Sequence, residues 1–122
     1  MSRAGQIPAV IENLEYARRF DPEIKSGWTK LGGLYYLQRD LRQSILTFER
    51  GLSQMSHLSF VHVMLAAAYA ESGNIDQAKR AAGRALQISP FFDSREFSRY
   101  SLFHTDEQRT RLLDSLAKAG FD

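Results

Sequence analysis

Three histidines, a few neighbouring carboxylates and a glycine pair are the residues of this chain whose types could do chemistry, as bases, metal ligands or a phosphate cradle. His57 and His62 stand five apart. On a helix turning about 100° per residue they diverge by about 140°, so they cannot share a face as an i, i+4 metal pair does. His104 is remote from both, and structural histidines are the expected reading. Glu12 with Glu15, and Asp106 with Glu107, fit exposed faces and helix starts, where negative charge complements the helix dipole. Gly32-Gly33 falls inside a helical pattern and lacks the Gly-Lys-Ser/Thr that follows in a phosphate loop. No catalytic set, cofactor site or metal site is expected, and the chain reads as a protein that is not an enzyme.

Composition narrows the partner classes. Apolar residues make up 43% and charged residues 25% of the 122, the balance of a folded globular chain rather than a disordered one. The formal net charge of +2 is too small to select a partner, and the sixteen Lys and Arg are scattered apart from pairs such as Arg18-Arg19 and Lys79-Arg80. Solvated helix faces explain them better than nucleic acid does. There is no cysteine, hence no disulfide and no thiolate metal site. Neither a signal-peptide core nor a run of bilayer-spanning length is present, so the expected location is cytoplasmic, with no membrane partner.

The elements that must position these residues are helical. After a short tail, Ile7-Pro8 opens a helix with Val10, Ile11, Leu14 and Ala17 on one face, and Phe20-Asp21-Pro22 closes it. Trp28, Leu31, Leu34 and Tyr35 mark the next helix, with Gly32 inside it as a sign of close helix packing. Asp40 is a candidate N-cap for a third, whose inner stripe is Leu41, Ile45, Phe48 and Leu52. Helices from about His57 to Ser72 and Ile75 to Ile88 flank the turn signal Gly73-Asn74. Beyond Pro90 a helix is expected from Ser94 to about Phe103, with Phe97, Tyr100 and Phe103 inward. A capping box, Thr105-Asp106-Glu107-Gln108, then starts a last helix carrying Leu112, Leu113 and Leu116, which Gly120 stops.

A 34-residue echo organises these elements. Leu31 returns as Leu65, Tyr35 as Tyr69, Leu52 as Leu86, and Ala17 as Gly51 and then Ala85. A fixed period of this length is the signature of stacked helical repeats. The first copy, Trp28-x2-Leu31-Gly32-x2-Tyr35 followed by Ser44-x3-Phe48, resembles the tetratricopeptide repeat. The second, His62-x2-Leu65-Ala66-x2-Tyr69 with Ala78-x3-Ala82, Ala85 and Pro90, is a softer version of it, rich in alanine. The resemblance spans roughly residues 8 to 92. It implies an all-α α-solenoid of antiparallel helix pairs, about two and a half repeats closed by a C-terminal capping helix, in a single domain over 1–122. Its parts are a half repeat at 7–22, repeats at 25–58 and 59–92, and a helical cap at 93–122. The stacking core is expected to rest on Trp28, Leu31, Tyr35, Phe48, Leu65, Tyr69 and Leu86.

In tetratricopeptide proteins the first helix of each repeat lines the concave side. The resemblance therefore implies a protein-binding groove of Ser26, Thr29, Lys30, Tyr36 and Leu37 from one repeat, with Phe60, Val63, Met64 and Glu71 from the next and Phe97 continuing the line. These positions are largely small or apolar, which suits an amphipathic helix or apolar peptide better than a peptide's terminal carboxylate. The function implied is a protein-interaction or scaffolding module. Two alternatives stand beside an open groove: the C-terminal helices fold back over Tyr36, Phe60 and Val63, or the edge bearing Val10, Leu14 and Tyr16 pairs with a second copy as a homodimer. The tail, ending Leu116-x-Lys118-Ala119-Gly120, is also similar to C-terminal tetratricopeptide regions of bacterial class III nucleotide cyclases and transcriptional regulators. That likeness implies a regulatory or sensory piece of a signalling system.

Overall fold

In a computed structural model the backbone is described for residues 25–55, 58–99 and 102–121, and side chains from residue 29 onward except 53–57. The half repeat at 7–22, the dimer edge Val10, Leu14 and Tyr16, the side chains of Ser26, Trp28 and His57, and Tyr100 lie outside these residues. Among the described residues all regular structure is helical: α1 Lys25–Leu37, α2 Leu41–Met55, α3 Ser59–Glu71, α4 Ile75–Ile88, α5 Ser94–Phe97 and α6 Asp106–Lys118. No helix here is long and apolar enough to cross a membrane.

The starts of α1 and α3, and of α2 and α4, lie 34 residues apart. The buried faces keep the same offset. On α2 the residues out of water are Ser44, Thr47, Phe48 and Gly51, and on α4 they are Ala78, Ala81, Ala82 and Ala85, each set at i, i+3, i+4, i+7. Between them α3 is apolar nearly all round, buried without a break from Val61 to Ala68, as a helix with neighbours on every side must be.

Side-chain volumes compensate across the two pairs. Gly32 faces Phe48 so closely that a Cβ would stand 2.7 Å from the ring, and the Ser44 hydroxyl donates to the Gly32 carbonyl at 2.8 Å beside it. At the equivalent positions 34 residues on, Ala66 and Ala82 replace the glycine and the phenylalanine. A ring needs the space of an absent methyl group, and two alanines fill the same gap without either extreme.

Three helices end in the same way. After α1 the amides of Arg39 and Asp40 donate to the carbonyls of Tyr36 and Tyr35, both at 3.0 Å. After α3, Gly73 and Asn74 donate to Ala70 (3.2 Å) and Tyr69 (2.9 Å), and after α6, Gly120 and Phe121 donate to Ala117 (3.1 Å) and Leu116 (3.0 Å). This doubly bonded stop requires a left-handed residue at its corner. Gly73 and Gly120 supply it at φ 87° and 107°, whereas α1 uses Arg39 at φ 67°. The three-residue links that follow, 38–40 and 72–74, fold each helix back on its predecessor.

Two expectations are corrected. Leu86 is 38% exposed, together with Ile88 at 40%, and Tyr35 and Tyr69 are only half-buried, while Tyr36 is wholly buried. The cause is the second correction: α5 is a single turn, Ser94–Phe97, not a helix to Phe103, so no full-length helix follows to cover the far face of α4. Its end is set locally, where the Ser98 hydroxyl donates to the Arg95 carbonyl at 2.6 Å and draws the chain out of the helix. Phe97 then joins a run of ring contacts from Phe48 through Phe60 to Phe97, Phe92 and Phe121, with centroids 4.8 to 6.2 Å apart. That run ties α5 and the chain's end to α2 and α3.

The αL arginine is the weak point of the three helix ends. Replacing it by the glycine that the other two corners use, Arg39→Gly, is expected to raise unfolding free energy by about 0.5–1 kcal/mol in urea titration. A loss of stability would contradict the backbone assignment at that corner.

Candidate functional site

The face lined by α1 and α3 is where the sequence places a groove, and the structure fills it. α6 packs chiefly on α3, with Leu112 and Leu116 completely buried and Leu113 half-buried. The segment leading into α6 closes the α1 side: Leu102 lies where a side chain at Gly33 would be, 2.4 Å from the Cβ position, and Phe103 is buried beside it. Of the two readings the sequence leaves for this face, an open groove or one covered by the C-terminal helices, the described residues agree with the second at Tyr36, which meets Arg111 and Ser115 of α6. Tyr36, Val63 and Met64 are all fully buried.

α6 is pre-formed for the task by its cap. The Gln108 amide donates to the Thr105 hydroxyl at 3.0 Å, and the Thr105 amide returns a bond to the Gln108 side chain at 3.2 Å, completing the reciprocal box. Two turns further on, the helix presents Arg111 and Ser115, four residues apart and therefore on one side.

These two side chains lock onto Glu71 at the end of α3. Arg111 Nε donates to Glu71 Oε1 at 2.8 Å, and Ser115 Oγ donates to Glu71 Oε2 at 2.8 Å, so both carboxylate oxygens are occupied. The ion pair is mostly out of water, with side-chain exposures of 12% for Arg111 and 15% for Glu71. The guanidinium also lies over the Tyr36 ring, 4.3 Å from its centroid, and Nη1 approaches the Leu37 carbonyl at 3.5 Å. Tyr36 OH faces Ser115 Oγ at 3.4 Å, which closes the network back onto α1. Burial first, and then the adjoining Glu71 carboxylate, push the Tyr36 phenol well above its ordinary 10.0.

Of the ten residues expected in the groove, Tyr36, Leu37 and Glu71 meet around Arg111. Val63 and Met64 are fully buried on α3. Phe60 and Phe97 touch, with ring centroids 5.6 Å apart, in the aromatic run rather than at an opening. Thr29 is half-buried and Lys30 exposed, both on the first part of α1 away from the Glu71 end, while the side chain of Ser26 is outside the described residues. Arg111, Ser115 and Leu102 were missed by sequence reasoning. The i, i+4 spacing of Arg111 and Ser115 on an amphipathic helix was the available signal, but their partner Glu71 is 40 and 44 positions away.

His62 is buried on α3, His104 is exposed, and no three metal-capable side chains gather among the described residues. The described residues line two hollows on the surface. One of about 600 Å³ lies beside Phe91, which is 97% exposed, and has Phe92 and Phe97 in its wall. The other, about 550 Å³, lies between α2, α3 and α4. In its wall Tyr69 donates its hydroxyl to the Glu49 carboxylate, and burial, followed by this bond, pushes the phenol up to about 12. Compared with known families and with curated proteins, the chain matches no family model and no curated relative.

The buried phenol makes stability sensitive to alkali. The folded state holds the Tyr36 proton more tightly than the unfolded chain, where tyrosine titrates near 10.0. Its contribution is complete below pH 10 and is lost as the pH rises beyond that value. Tyr36→Phe is expected to flatten the alkaline fall in unfolding free energy, by up to about 1.4 kcal/mol per pH unit for one proton. Equal slopes for wild type and variant would place the Tyr36 hydroxyl in solvent.

Proposed function

We propose that this chain is a tetratricopeptide-type interaction module, a binding protein rather than a catalyst, whose concave face receives an amphipathic helix. The reading begins from the residues: the Trp28-x2-Leu31-Gly32-x2-Tyr35 signature, its echo 34 positions on, and two helix pairs with the same offset. In this reading α1 and α3 are the inner helices of two repeats, α2 and α4 the outer ones, and α6 a helix that caps the array and occupies its groove in cis.

One observation carries the proposal. α6 is recognised as a helical ligand would be, by two apolar anchors, Leu112 and Leu116, that give affinity and by a two-pronged polar contact on Glu71 that fixes its position along the groove. A partner binds by presenting a helix of the same pattern: arginine, then leucine at the next position, serine four after the arginine, and leucine beside it. Because tethered α6 competes at an effective concentration on the order of millimolar, such a partner must match α6 closely or arrive when α6 is displaced.

A trans-binding experiment tests this. A fluorescein-labelled peptide of residues 104–121 is titrated with the wild-type chain and with Leu112→Ala/Leu116→Ala, which weakens the tethered helix and leaves the groove untouched. The variant is expected to bind the peptide at least tenfold more tightly than wild type, and adding Glu71→Ala is expected to remove that gain. Equal peptide affinity for the two proteins, both still helical and unfolding cooperatively, would reject a helix-accepting groove.

A further inference from the structure

The charge of this chain is unevenly placed. Helices α2 and α4 carry five basic residues, Arg42, Arg50, Lys79, Arg80 and Arg84, against two acidic ones, Glu49 and Asp76. The rest of the chain has eleven basic and twelve acidic. The modest overall charge therefore hides a basic layer on the side remote from α6, next to the 550 Å³ cleft. Leu52, Leu65 and Ala81 give the cleft an apolar part, and the buried His62, together with Gln77 and the ring of Tyr69, completes that lining. Arg80 and Arg84, both exposed and one helical turn apart, stand on its α4 side.

Among the described residues no hydrogen bond or ion pair uses these two arginines, and even Asp76, one turn before Arg80, does not pair with it. Like charges at i, i+4 work against a helix rather than for it. The opposite wall holds Glu49, whose carboxylate accepts the Tyr69 hydroxyl. An occupant thus meets attraction for negative charge on the α4 side and repulsion on the α2 side, around a lining that also takes an apolar group. The hollow beside Phe91 has no such bias, since Asp93, Glu96 and Arg99 mix both signs there.

We infer that the cleft between α2 and α4 is a second docking surface, which takes an acidic peptide segment with one apolar anchor. The anchor enters over Leu65 and Ala81, and the flanking carboxylates lie on Arg80 and Arg84. The size is right for one large apolar side chain and its backbone. Nucleic acid fits less well, because the basic residues at the cleft are two rather than a stripe, and Glu49 in the opposite wall would repel a phosphate backbone. The surface is independent of the α6 groove and uses the opposite side of the helix stack, so a module whose concave face is filled still has a place for a partner.

The test uses the full chain. Dodecapeptides are selected from a random phage-displayed library on wild type, resynthesised with fluorescein, and titrated against three proteins. These are wild type, Arg80→Glu/Arg84→Glu, and a charge-matched control, Arg42→Glu/Lys79→Glu, whose residues do not line the cleft. The expected result is enrichment of peptides with at least two Asp or Glu around a Leu or Phe, an affinity loss of tenfold or more in the first variant, and less than threefold in the control. Arg80→Ala/Arg84→Ala, which keeps the helix and adds no acid, is expected to lose at least threefold. An empty selection, peptides without acidic bias, equal losses in the variant and control, or a dT dodecamer that binds with the same dependence on Arg80 and Arg84 would each overturn the assignment.

Discussion

A guanidinium and a carboxylate withdrawn from water, Arg111 on α6 and Glu71 on α3, set how the C-terminal third of this chain lies on the rest. Apolar burial supplies the drive, since Leu112 and Leu116 enter the face of α1 and α3 completely, but burial is indifferent to sliding and rotation by a small angle. The charged pair is not. Glu71 gives one oxygen to Arg111 and the other to Ser115, and the ring of Tyr36 takes the face of the guanidinium, so a single placement of α6 brings all four side chains together. Taking two charges out of water has its own cost, and Arg111 Nη2 remains buried without a hydrogen-bond partner among the described residues. The pair is therefore better understood as fixing position than as a large net source of stability.

On the proposed repeat reading such a helix has a reason: stacked pairs bury one face against the next pair, and the last pair leaves a face uncovered. Here α5 is a single turn, and Leu86 and Ile88 stay partly in water. The chain instead turns, drops Leu102 onto Gly33 and returns along the inner face. Coverage goes to the apolar α3, buried without a break from Val61 to Ala68, and is withheld from the outer face of α4, where the exposed residues other than Leu86 and Ile88 are mostly charged or polar and there is less to gain.

Much of the architecture was legible in the sequence because it is written in local terms. The turn at Gly73-Asn74, the Thr105 to Gln108 box and the stop at Gly120 depend on residues within a few positions of one another, and each lies where its chemistry requires. Gly32 inside a helix announced a close approach, and the ring of Phe48 is what approaches. The site was less legible. Register identified Tyr36, Val63, Met64 and Glu71 as one face, but whether a face is open or covered depends on segments 40 to 80 positions away, and no periodicity encodes that. The length of α5 misled for a related reason: Phe97 and Phe103 were both expected to face inward from one helix, yet the helix ends at Phe97 and the two rings meet each other with centroids 6.2 Å apart.

The claim on which the rest turns is that Arg111 and Glu71 act as one unit to seat α6, and a double-mutant cycle in urea unfolding measures this most directly. Glu71→Gln and Arg111→Met each leave a buried partner uncompensated, so the two single losses are expected to exceed the loss in the double variant by roughly 1.5–3 kcal/mol. Losses that add to within about 0.5 kcal/mol would mean that the two side chains do not meet in the folded chain, and that α6 is not held where it lies here.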